Sequence, residues 1–185
     1  MSETQGFTIW FTGLSGACKS TIADIVIPEL ERRGRVVEPL DGDVVRTHLT
    51  KGLGFSKEDR DTNIQRIGWV SSRITRHGGD AVVSAISPYE ETRQAARETV
   101  EEFGPFVCIH VHASVDECVR RDTKGLYAKA IAGEIKEFTG ISDPYEEPAA
   151  PELTIATEGE SPDASAERVV IYLEQRGLVK SAVTA

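Results

Sequence analysis

Between Gly13 and Thr21 the chain reads GLSGACKST. Glycine, four residues, glycine, lysine and then serine or threonine is the spacing of a loop whose backbone N–H groups cradle phosphates. Gly13, Lys19 and Ser20 stand where that spacing requires, while Cys18 occupies the place of the second glycine. Set between a strand and a helix N-terminus, such a loop directs several N–H donors at one anion. The cradle comprises Gly13, Ser15, Gly16, Ala17, Cys18, Lys19, Ser20 and Thr21. Lys19 would reach the β- and γ-phosphates of a nucleoside triphosphate, and the Ser20 hydroxyl would ligate Mg²⁺. A side chain at position 18 costs on the order of 1–3 kcal/mol if its φ is positive. That corresponds to phosphate binding weakened roughly 5- to 150-fold.

Two further stretches carry groups fit for chemistry. LDGDVVR places Asp41 and Asp43 at the end of an apolar run, and strand carboxyl ends are where ligands sit in open α/β sheets. The two aspartates suit Mg²⁺, or a base on a hydroxyl acceptor. ISPYEETR ends another apolar run with Ser87, which suits a ligand contact, a phosphorylated side chain or a helix cap. Seven bases, Arg46, Lys51, Lys57, Arg60, Arg66, Arg73 and Arg76, fall in one central stretch. They suit an anionic small molecule. A formal net charge of −9 opposes non-specific nucleic-acid binding.

These groups need elements to position them. The 185 residues are enough for one domain, 1–185, with a substantial core. Apolar runs at FTIWFT, RVVEPL, DAVVSAI, PFVCIHVHA and PELTIA read as five strands. Helices are expected over 20–33, 56–77, 90–103, from Ser114, and over 163–177, with Pro28 kinking the first. Ser56 and Ser114 are expected N-caps. Alternating strands and helices imply an α/β fold, a parallel five-stranded sheet with helices on both faces. The stretch 123–150, rich in Gly, Pro and charge, is expected to form a lid. Three cysteines show no paired spacing, and Cys108 and Cys118 are expected in the core. The histidines form no expected ligand set, although His110 and His112 share one strand face. No apolar run has the length of a membrane span, and the N-terminal residues lack signal-peptide features, so a cytoplasmic location is expected.

Taken together, FTGLSGACKST, LDGDVVRTHLTKGLGFSKEDRDTNIQRIGWV, SAISPYEETR, RRDTKGLYAKAIAGEIKEFTGISDPYEEP and PELTIAT resemble adenylylsulfate kinase over nearly the whole chain. The resemblance implies a P-loop NTPase-type fold with a phosphate loop at 13–21 and a lid at about 123–150. It implies transfer of the ATP γ-phosphoryl group to the 3′-hydroxyl of adenosine 5′-phosphosulfate (APS), giving PAPS and ADP. ATP and Mg²⁺ would be the cofactors, with Ser20 and Asp41 at the metal. Lys19, Asp43 and Ser87 match catalytic positions, with Asp43 as candidate base and direct in-line transfer favoured over a phosphorylated Ser87. Asp43, Arg46, Phe55, Arg60, Asn63, Ile86, Ser87, Lys124 and Phe138 match the APS pocket, the two phenylalanines as a sandwich for its adenine. Relatives of this kind are usually homodimers, and ATP sulfurylase is a candidate partner; neither a membrane nor a nucleic acid is implied. The chain departs from the pattern at Cys18, at Ile131 where arginine is usual, and at Glu90 where many relatives carry a base. Two other readings stay open on the residues: a weakened or inactive APS- or PAPS-binding regulator, and a kinase for another small acceptor.

Overall fold

The computed structural model describes residues 5–181. Five strands, β1 (Thr8–Thr12), β2 (Val37–Asp41), β3 (Asp80–Ser84), β4 (Phe106–His112) and β5 (Leu153–Ala156), form one sheet in the order β2-β3-β1-β4-β5. Every neighbouring pair is parallel. Seven helices accompany them among the described residues: α1 (Lys19–Arg32), α2 (Gly42–His48), α3 (Lys57–Arg76), α4 (Glu90–Glu101), α5 (Val115–Arg121), α6 (Leu126–Ile131) and α7 (Pro162–Gln175).

The strands are apolar on both sides because both sides are covered. Ile9 and Phe11 of β1 join Val82, Val107, Ile109 and Val111 in a core shared with Ile22 and Val26 of α1 and Val169 and Leu173 of α7. Between them in sequence, Trp10 points the other way, into a core with Val83, Phe106 and Ile67 of α3 and Ala96 of α4. Period-two alternation along β1 thus assigns one helix pair to each face.

The expected strands and the five expected helices are present, with boundaries shifted by at most two residues. α3 begins where Ser56 accepts a hydrogen bond from the Asp59 N–H, and α5 where Ser114 accepts one from Glu117. α1 continues through Pro28 as one assigned helix. β2 accommodates Pro39 because it is the edge strand, where a missing N–H need not break the ladder. Two short helices were not expected: α2, directly after Asp41, and α6, inside the 123–150 stretch. That stretch is therefore partly helical.

At the amino ends of the strands, Asp80 accepts from Arg35 Nε at 2.6 Å and from the Phe7 N–H at 3.2 Å. This buried contact joins the starts of β1, β2 and β3. The carboxyl ends open onto loops, and there the candidate residues assemble.

Candidate active site

The phosphate loop leaves β1 at Gly13, whose φ is 149°. A Cβ at this position would lie 2.2 Å from the Val111 carbonyl oxygen, so the close approach to β4 admits only glycine. The loop then turns through Gly16 at φ 76° and Cys18 at φ 74°. Cys18 is thus a non-glycine residue in left-handed backbone at the N-cap of α1, without a side-chain cap hydrogen bond. Its Sγ lies 3.4 Å from Arg121 Nη1, which also donates to the Thr157 hydroxyl at 2.9 Å.

Lys19 follows, 9% exposed, its Nζ donating to the carbonyls of Gly13 at 2.9 Å and Leu14 at 2.8 Å. Two of its three N–H donors are occupied by the loop itself. Burial, with a smaller contribution from Lys124, pushes the Lys19 pKa down to about 8. Ser20 Oγ donates to Asp41 Oδ2 at 2.7 Å. Asp41 Oδ1 accepts from the Asp43 N–H at 2.9 Å, which makes Asp41 the N-cap of α2. A hydroxyl and a carboxylate oxygen therefore meet beside the loop, a donor pair that suits a hard cation. Lys124, just before α6, pairs with Asp43 Oδ2 at 2.5 Å, both side chains being well exposed.

These groups line one cavity of about 610 Å³. Its walls include Ser15, Gly16, Cys18, Lys19, Ser20 and Thr21 of the loop, and Asp41 and Asp43 of α2 and its cap. Across from them stand Arg46, Phe55, Arg60, Asn63, Ile86, Ser87, Lys124 and Phe138. The structure thus gathers every expected site residue except two: Gly13 shapes the loop from behind, and Ala17 is fully buried in the core. Of the seven central bases only Arg46 and Arg60 reach this cavity; the other five do not line it.

The other wall of the cavity is built largely by α3 and the strap that follows α6. Phe55 is 54% exposed, with the Arg46 guanidinium 4.4 Å from its ring centroid. Burial and the neighbouring Arg60 both lower the Arg46 pKa. Phe138 leans edge-on against Tyr127, ring centroids 4.9 Å apart. Asn63 Oδ1 accepts from the Thr50 hydroxyl at 2.7 Å. Arg60 is committed to the protein in this state. It donates to the Phe55 carbonyl at 2.6 Å, to the Thr139 hydroxyl, to the Glu137 carbonyl and to Asp143 at 3.0 Å. Its role here is to hold the 137–143 strap against α3.

Ser87 is 2% exposed, at φ 48°, and its Oγ accepts from the Trp10 indole N–H at 3.0 Å. An indole donates and cannot take up a proton. Ser87 is not the cap of α4, whose N-cap is Tyr89. The Ile86 carbonyl already accepts from the Thr12 hydroxyl at 2.6 Å. Sequence reasoning missed Thr123, Leu126, Ile135, Glu137 and Thr139, which also line the cavity; only their nearness to KGLY pointed there. Ile131 is 61% exposed on α6 and outside the lining, and Glu90 pairs with Arg93 at 2.5 Å. Neither Ile131 nor Glu90 lines the cavity. No described helix is long and apolar enough to cross a membrane.

A family model described as adenylylsulphate kinase matches residues 5–156. An adenylyl-sulfate kinase of Picosynechococcus sp. is 54% identical over 96% of this chain and 98% of its own. The APS kinase of Mycobacterium tuberculosis, solved in complex with AMPPNP and APS, superposes with a TM-score of 0.88 at 42% identity, covering 92% of this chain and 98% of the other. A hexameric APS kinase from Thiobacillus denitrificans superposes with a TM-score of 0.76 at 41% identity, covering 96% of this chain and 30% of that one.

Proposed function

The chain belongs to the adenylylsulphate kinase family, and from that premise we propose that it transfers the γ-phosphoryl group of ATP to the 3′-hydroxyl of APS, yielding PAPS and ADP. The observation that carries this reading is that one cavity holds the phosphate loop, the Asp43 carboxylate, two guanidiniums and the two rings of Phe55 and Phe138. A nucleotide acceptor needs such a set: flat rings for its base and cations for its anions.

Lys19 and the loop N–H groups hold the triphosphate and stabilise charge on the transferring group. Mg²⁺ would be held by Ser20 and Asp41, where it neutralises phosphate charge. Lys124 is drawn from Asp43 toward the substrate anion, leaving the carboxylate for the acceptor hydroxyl. That exchange is easy because an exposed ion pair contributes only about 0–1 kcal/mol. The Asp43 carboxylate takes the 3′-hydroxyl proton as the new O–P bond forms and the bond to the β-phosphate oxygen breaks. Ser87, buried and hydrogen-bonded to an indole donor, serves the pocket rather than carrying phosphate. A second copy of the chain and ATP sulfurylase, which would supply APS, are the proposed partners.

Asp43→Asn tests the base. Loss of a general base lowers kcat by roughly 10²–10⁴-fold, with the KM for APS little changed. An Asp43→Asn enzyme with ordinary kcat would remove Asp43 from that role.

A further inference from the structure

On the far side of the strap lies a second hollow, of about 540 Å³, between the carboxyl end of β4 and residues 140–147. His110 and His112, two apart on one strand, project to the same face. His110 lines the hollow although it is only 5% exposed. The Tyr145 ring lies stacked on it with centroids 6.0 Å apart, and Tyr145 is itself fixed by a 3.0 Å hydrogen bond to the Thr12 hydroxyl. From the chain just beyond the strap comes Glu147, its Oε1 3.7 Å from His112 Nδ1. One donor atom from each of His110, His112 and Glu147 lies within 4.8 Å of the other two.

We propose that His110, His112 and Glu147 form a binding site for a divalent first-row transition ion of the zinc type, tying the chain just beyond the strap to the end of β4. Two imidazoles and a carboxylate are a sufficient protein set for such an ion, with water completing a tetrahedron. Imidazole nitrogen selects against Mg²⁺ and Ca²⁺, which take oxygen donors, so the site is chemically separate from Ser20 and Asp41. Bonds of about 2.1 Å in a tetrahedron require donors about 3.4 Å apart, closer than the present spread. The closure falls to His112 and Glu147, whose side chains are 44% and 66% exposed, while His110 is the buried ligand. A solvent-exposed His112–Glu147 pair would by itself be unremarkable in energy. The buried imidazole brought to the same point by the strand register makes it a set.

The location has a consequence for the neighbouring cavity. Arg60 holds Asp143 and Thr139 on one side of the strap, and the ion would hold Glu147 on the other. Bound metal would therefore stiffen the segment that carries Phe138 and Thr139 into the nucleotide cavity.

The experiment is a Co²⁺ titration of chelator-stripped chain, free of any affinity tag and of nucleotide, followed by visible absorption. One Co²⁺ per chain is expected, with the bands of a low-coordinate site, displaced by one equivalent of Zn²⁺ and unaffected by millimolar Mg²⁺. His112→Ala and Glu147→Gln, each altering a direct ligand, should weaken Zn²⁺ binding by at least the roughly 10–100-fold that loss of an outer-shell partner costs, with thermal unfolding in chelator unchanged for both. Zn²⁺ should also slow amide exchange over 143–147 in the native chain and not in His112→Ala. Absence of the Co²⁺ bands in the native chain, or undiminished binding in His112→Ala, would overturn the proposal.

Discussion

Cys18 decides how the phosphate loop behaves. Left-handed backbone at a non-glycine residue costs about 1–2 kcal/mol, and Cys18 pays it at φ 74° while its thiol gains only a 3.4 Å contact with Arg121. Cys18→Gly should therefore stabilise the protein by about 1 kcal/mol, raising the midpoint of thermal unfolding by about 2–4 °C in a chain of this size. A lowered midpoint would show that the thiol contact outweighs the backbone strain. Lys19 sets a second expectation. With its pKa pushed down to about 8 by burial, the free protein carries the charge below that pH and loses it above. Bound polyphosphate restores the charged form, so ATP binding at pH 9 should take up a proton, read as a calorimetric enthalpy that changes with buffer ionisation heat. Affinity should fall as pH rises through 8; proton-neutral binding at pH 9 would contradict this. The positions of Lys19 and Ser20 were legible from spacing alone. The two loop carbonyls that Lys19 uses were not, since they depend on how the loop turns on itself; Asp41 beside Ser20 was implied by the resemblance alone.

At the scale of elements, legibility followed length and capping. α3 was visible because Ser56 precedes an acidic first turn and a long apolar stripe. α2 is seven residues and buries only Val45, too short to show a period. α6 starts after Gly125 in left-handed backbone without a side-chain N-cap; Asp122 instead accepts from the N–H groups of Tyr127 and Ala128, each at 3.0 Å. A cap contributed from outside the helix leaves no local spacing to read. The H-x-H alternation on β4 was likewise visible, while Glu147 joins it only through the fold. Arg60 shows an element positioned by one residue. Removing its guanidinium by Arg60→Ala strips the strap of its donors and leaves Asp143 without its partner. Stability should fall by about 2–4 kcal/mol, and amide exchange over 137–143 should quicken, with a raised KM for APS. Unchanged protection of the strap would mean that other contacts hold it.

Across the whole molecule, chemistry and anchorage occupy opposite ends of the sheet. The Arg35–Asp80 contact ties three strands at their amino ends, and the cavity opens at their carboxyl ends. The chain is acidic, at −9, yet Lys19, Arg46, Arg60 and Lys124 converge on one hollow that Asp41, Asp43 and Glu137 also line. The parallel sheet and the burial of both its faces were readable from alternating apolar runs; the strand order was not, nor was the strap, with few apolar residues to betray its packing. The central claim is that this cavity, cysteine in its loop included, transfers phosphoryl groups to APS. Ion-exchange separation of products from purified chain, Mg·ATP and APS under reducing conditions tests it most directly. The account predicts PAPS and ADP in equal amounts, at a rate within the roughly 1–100 s⁻¹ range of kinases. APS bound without PAPS formed would contradict it, and would make the chain a binder of the nucleotide.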